Sequence, residues 1–160
     1  MCQPMAYDGF MTTPWLSDEQ QRIWRSWLRL NRELSATLAR EMSASSDLSM
    51  ADFGVLVQLT DVADGRVRIS ELADNLGWER SRVSHQLKRM QTRGLVERFE
   101  CAEDGRGSFV GITSAGREAI GEAAPGHVAE VRRLVVDHLD ADELRDFGRL
   151  VDRLLEPFNG

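Results

Sequence analysis

Five cations, Arg80, Arg82, Lys88, Arg89 and Arg93, stand between residues 80 and 93 with no carboxylate among them. The chain around them is acidic, with 20 Lys and Arg against 26 Asp and Glu and a formal charge of −6. A helix that is merely solvated usually mixes signs to pair charges four residues apart, so an acid-free run in such a chain calls for a polyanion. Drawn as a helix, Val83, Leu87 and Met90 fall within about 60° of one another and form a stripe to bury. The other side presents Ser81, Arg82, Ser84, His85, Lys88 and Arg89, with Arg80 at the start of the run. An Arg fork matches the two acceptors of a guanine edge in the major groove. Serines allow close approach and donate to phosphate, and the free N–H groups of a helix start do the same. The competing reading of this segment alone is a solvated charged face.

A sixth cation, outside that run, is placed for the same work. Arg106 lies between Gly105 and Gly107 in Glu103-Asp104-Gly105-Arg106-Gly107, a turn sequence between two strand-like runs. On a thin tip it suits a narrow minor groove, where the negative potential is high. A turn arginine bonded to Asp104 is the plainer reading. The two agree if Asp104 aims the guanidinium.

The elements that must carry these residues follow from pattern. Residues 1–15 form a tail with little periodicity. From Leu16, apolar residues Ile23, Trp27, Leu30, Leu34 and Leu38 recur at helical steps, predicting a helix to about Met42 capped by Ser17. A loop is expected over Ser43–Asp47. Ser49 with Asp52 resembles a capping box for a helix over about 50–63. Val67-Arg68-Ile69 reads as a short strand. Ser70 is expected to cap a helix that stops at Gly77, and the cationic helix follows over about 80–92, ending before Gly94. Two helices joined by a short turn containing Gly make a helix-turn-helix. The hairpin over about 95–112 makes it winged. Thr113 caps the next helix, which is expected to bend or break at Pro125-Gly126 and resume to Leu139. Asp140 starts a last amphipathic helix ending at Pro157. The fold class is mainly α (α+β). A winged helix-turn-helix lobe over 49–113 stands between an N-terminal helix with its loop, 16–48, and C-terminal helices, 114–160.

Composition bounds the rest. Hydrophobic residues make up 42% of the 160, enough for a core without metal or disulfide. Residues 66–106 hold nine basic and seven acidic side chains, while the segments on either side carry net charges of −4 each. Cys2 and Cys101 are too few for a disulfide scaffold and suit a reducing cytoplasm. The first fifteen residues contain no Lys or Arg and no unbroken apolar run, so no secretory signal is expected, and no stretch reaches the ~18 apolar residues of a membrane span.

The residues resemble the MarR family of bacterial winged-helix regulators, in the form met in actinobacteria, over roughly Leu16 to Leu155. The likeness rests on Ile69-Ser70-Glu71-Leu72-Ala73, on Ser81-Arg82-Val83-Ser84 followed by Arg93-Gly94-Leu95-Val96-Glu97-Arg98, and on Asp104-Gly105-Arg106 with Ile112-Thr113 and Gly116. The Asp-x-Arg wing is the most specific of these. The resemblance implies a homodimer with interlocking terminal helices, a pseudo-palindromic duplex operator with half-sites ~10 bp apart, and Arg106 in the minor groove. It also implies repression, with release by a small aromatic or phenolic effector. Glu79 stands where members often carry a Ser or Asp cap, and Gly111 is expected to soften the second wing strand.

Several signals lead elsewhere. Cys101 just past the first wing strand opens a redox-responsive reading, which needs a thiolate-stabilising neighbour and a resolving partner. Trp24 and Trp27 either line an effector pocket or serve packing, and Trp78 is expected to plug the core. His85, His127 and His138 lack metal-ligand spacing; His127 with Glu130, or Asp137 with His138, would need further ligands. No triad, paired carboxylates or phosphate loop calls for an enzyme or a cofactor. The competing non-enzymatic reading is a winged helix whose basic face meets an acidic protein.

Overall fold

The computed structural model of the chain describes residues 14–100 and 108–158. In chain order, α1 (Asp18–Ser45), α2 (Met50–Thr60), β1 (Arg66–Arg68), α3 (Ile69–Leu76) and α4 (Arg80–Thr92) precede β2 (Val96–Glu100), β3 (Ser108–Ile112), α5 (Ser114–Leu134) and α6 (Ala141–Leu155). The chain divides after Glu33 into two compact units.

In the first unit, Ser17 opens α1: its N–H donates to Gln20 Oε1 at 2.9 Å, and its hydroxyl accepts from the Gln20 N–H at 3.2 Å. Among residues 14–33 every side chain but Gln21 is exposed, including Ile23, Trp24, Trp27, Leu28 and Leu30. Ile23, Trp27 and Leu30 share one helical face.

The second unit holds the core. The expected loop at 43–47 begins later than predicted, because α1 continues to Ser45. The serines sustain the turn instead of breaking it: Ser45 Oγ donates to the Glu41 carbonyl and Ser46 Oγ to that of Met42. The capping box at Ser49 and Asp52 is present, and α2 stops at Thr60, three residues earlier than expected. The strand β1 also begins one residue early and leads directly into α3. Arg68 takes the N-cap position without a side-chain bond, so Ser70 sits inside the helix and caps nothing.

The three strands pair antiparallel in the order β1-β3-β2, with Val67 opposite Val110 and Val96 opposite Ile112. These four turn inward onto Leu56, Leu59, Leu72, Val83, Leu87 and Met90, all buried. The outer face of the sheet carries cations over rings: the Arg66 guanidinium lies 4.2 Å from the Phe99 centroid and that of Arg68 4.8 Å from Phe109. Gly111 of β3 faces this layer. A Cβ there would stand 2.7 Å from the Phe99 ring, so the glycine is the seat that lets the ring cross β3.

Of the bend or break expected at Pro125, the break does not occur; α5 runs unbroken from Ser114 to Leu134 with the proline inside it. Packing holds both sides. Ile120 and Ala123 are buried before the proline, and the His127 ring after it stacks 4.7 Å from Phe53 of α2. The helix ends instead at Leu134, with Val135 as its C-cap, before a 3-10 turn over Val136–His138. Thr113 caps α5 by accepting from the Gly116 N–H at 3.0 Å, and its hydroxyl donates to the Gly94 carbonyl at 2.6 Å. Asp140 and Glu143 form the capping box of α6, which buries none of its residues and ends at Leu155 ahead of Pro157.

Candidate nucleic-acid interface

Helices α3 and α4 are joined through Gly77-Trp78-Glu79. Gly77 takes a left-handed conformation, φ 61°, that an L side chain would strain. The Trp78 N–H then reaches back to the Ala73 carbonyl at 2.9 Å and closes α3. Glu79 is the N-cap of α4 and makes no side-chain cap bond, which leaves the first N–H groups of α4 without one.

The stripe of α4 is buried as its spacing predicted, with Val83, Leu87 and Met90 each at 0% exposure. Arg80, Ser81, Arg82, Ser84, His85, Lys88 and Arg89 are all exposed. By helical angle, Ser81, His85 and Lys88 form the crest opposite the stripe, Arg82 and Arg89 one flank, and Ser84 the other. Each flank is held. On one, the Arg82 guanidinium lies 4.2 Å from the Trp78 ring centroid, so Trp78, which also packs against the core, is a platform as well as a plug. On the other, Arg98 of β2 donates to the Ser84 carbonyl at 3.0 Å and to its hydroxyl at 3.4 Å. The first wing strand is thereby tied to α4.

The acid-free run is not uniformly a surface for ligand. Arg93 pairs with Asp52 at 2.8 Å and donates to the Asp47 carbonyl, so it is a bolt between α4 and the start of α2. Asp52 does more than cap α2. Burial disfavours its charge, but the Ser49 N–H, the Arg93 guanidinium and the Ser49 hydroxyl donate to it and hold its carboxyl below the usual value. Gln86, which the helical pattern did not single out, is buried and donates to Asp52 Oδ1 at 2.6 Å. Its carbonyl oxygen accepts from Arg89. Two signals in the sequence point to part of this. Trp78 stands two residues before α4, close enough in sequence for Arg82 in its first turn to reach the ring, and a polar Gln86 beside the stripe needs a buried partner.

Asp104, Arg106 and Cys101, with Cys2, lie outside the described residues. Trp24 and Trp27 are exposed on α1. A cavity of about 190 Å³ lies between Leu38, Met42 and His127, and one of about 640 Å³ is bordered by Ser43, Leu48, Arg93 and Glu122; neither is lined by the two tryptophans. The carboxylates considered for metal are engaged by arginine, Asp137 with Arg132 and Glu130 with Arg133, each at 2.6 Å. Arg133 accordingly lowers the Glu130 carboxyl. Among the described residues no helix is long and apolar enough to cross a membrane.

These elements define a winged helix-turn-helix protein with long terminal helices. Residues 46–107 match the model of the MarR family. AbsC from Streptomyces coelicolor, a MarR family transcriptional regulator, superposes with a TM-score of 0.86 at 36% identity, over 92% of this chain and 99% of that one. Sco3205, a MarR family transcriptional regulator from the same organism solved in complex with DNA, gives 0.86 at 33%, over 91% and 95%. The HTH-type transcriptional repressor YetL of Bacillus subtilis (strain 168) is 25% identical over 114 residues, 69% of this chain and 68% of that protein. The chain belongs to the MarR family of transcriptional regulators.

Proposed function

We propose that this protein is a homodimeric, sequence-specific regulator of transcription that binds duplex DNA and represses by occluding a promoter in the cytoplasm. The observation that carries the reading is the face of α4: Arg80, Ser81, Arg82, Ser84, His85, Lys88 and Arg89 are exposed together, without an acid between them, on a chain of net charge −6. A major groove admits such a helix. Ser81, His85 and Lys88 on the crest face the groove floor, and Arg82 and Arg89 reach base edges or phosphates from one flank. Arg106, aimed by Asp104, enters the adjacent minor groove, as the family likeness suggests. The domain limits follow: 16–48 and 114–160 for dimerisation, 49–113 for DNA.

The dimer is supported by apolar faces on both terminal helices. Ile23, Trp27 and Leu30 of α1, and Leu144, Phe147, Leu150 and Leu154 of α6, are exposed at regular helical spacing. A second copy covering them removes that apolar surface from water. Trp24 and Trp27 then serve packing between copies. Release by a small aromatic or phenolic effector is carried by the family likeness alone.

Selection of bound duplexes from a random library, in the presence of heparin as competing polyanion, tests this function. Enrichment of one inverted-repeat sequence is expected. Retention of heparin and duplex alike, with no sequence enriched, would favour an acidic protein partner instead.

A further inference from the structure

Gln86 and Asp52 are buried polar side chains, each 3% exposed, facing one another across the contact between α4 and α2. Their bonds form a directed chain. Asp52 is anchored at the cap of α2 by the Ser49 N–H at 2.9 Å and the Ser49 hydroxyl at 2.8 Å, and by Arg93 at 2.8 Å. Its other oxygen accepts from Gln86 Nε2 at 2.6 Å, and Gln86 Oε1 accepts from the Arg89 guanidinium. An ionised carboxylate only accepts and a guanidinium only donates. The amide between them therefore has one workable orientation. Turning it over would set oxygen against oxygen at Asp52 and NH₂ against guanidinium at Arg89.

Arg89 is exposed, and an untethered arginine on a surface occupies many rotamers that binding must freeze. Here one of its terminal nitrogens is fixed from below, which leaves the others directed outward along the flank of α4. We propose that Gln86 is a positioning residue for Arg89, transmitting the orientation of the Asp52 carboxylate to the guanidinium so that it meets the DNA already ordered. The inference rests on the reading of α4 as the helix that meets DNA. The rival account is that Gln86 only rivets α2 to α4, which would weaken binding by loosening the fold as a whole.

A double-mutant cycle separates the two accounts. The probe is the duplex enriched by the wild-type protein from a random library, with a scrambled duplex as control, at low salt so that Arg89→Ala still binds measurably. Gln86→Met keeps the length of the side chain and removes both its donor and its acceptor. With Arg89 present, Kd for the selected duplex should rise about tenfold; in the Arg89→Ala background the same change should cost less than about twofold. Affinity for the scrambled duplex should stay within about twofold throughout. Equal losses in both backgrounds, or no loss with Arg89 present, would overturn the proposal. If Gln86→Met does not melt cooperatively, Gln86→Leu takes its place in the cycle under the same criteria. Failure of the wild-type protein to enrich any duplex would overturn the DNA reading and this inference with it, whereas an enriched duplex with additive mutants would overturn the inference alone.

Discussion

Asp52 shows how one carboxylate does structural work on a helix that carries charge for another purpose. Its ionised form is favoured by Ser49 and Arg93 against the penalty of burial, so its carboxyl titrates lower in the folded chain than in the unfolded one. The stabilisation is therefore complete above the unfolded value of about 4 and is lost as pH falls through the lower folded value. Asp52→Asn should cost about 1–3 kcal/mol near neutrality, discounted because Arg93 is partly exposed. Its melting curve should approach that of the wild type in acid; a gap that stays constant from pH 7 to pH 3 would remove the carboxylate from the account. Arg82 is held differently, by the face of Trp78. Arg82→Ala should weaken the selected duplex by about 1–3 kcal/mol if it reads a base. Unchanged affinity, measured by fluorescence anisotropy, would move the contact elsewhere on α4.

Among the elements, α5 has the largest internal conflict. Pro125 removes the N–H that would bond the Gly121 carbonyl, yet the helix continues because its flanks are packed on α2. Pro125→Ala restores that bond at an exposed position and should raise stability by about 1–3 kcal/mol. Urea unfolding measures it, and a destabilised variant would show that the proline is used. The wing is the other element with a defined test. The Arg66–Phe99 and Arg68–Phe109 pairs and the Arg98–Ser84 bonds hold its strands. Arg106 lies outside the described residues. If it enters the minor groove as proposed, Arg106→Ala should lower affinity for the selected duplex while leaving the melting temperature unchanged, and equal binding would take the wing out of recognition.

For the assembly, the apolar rows on α1 and α6 matter more than any one contact. Leu150 is 55% exposed in the middle of the α6 row. A charge placed there would have to be buried between copies without a partner. Leu150→Asp should convert the dimer to monomer in sedimentation velocity and reduce affinity for an inverted repeat. An intact dimer would place the interface on another surface.

The helices of the helix-turn-helix and the caps at Ser17, Ser49, Thr113 and Asp140 were legible in the chain because they depend on neighbours one to four residues apart, and the wing strands because two strand-like runs flank a turn sequence. The buried stripe of α4 was legible for the same reason, since its period is that of the helix. What could not be read was which polar groups pair across long separations. Arg93 looked like its neighbours until Asp52, 41 residues away, was brought beside it. Gln86 found its partner 34 residues back, and Gly111 met a ring from the neighbouring strand. Pro125 does not break α5, because tertiary packing outweighs the local cost of a missing hydrogen bond. Local order follows from backbone geometry and side-chain period. Burial and pairing depend on what the chain places opposite, and it is there that the cations of α4 divide into those that hold the fold and those left to meet a partner.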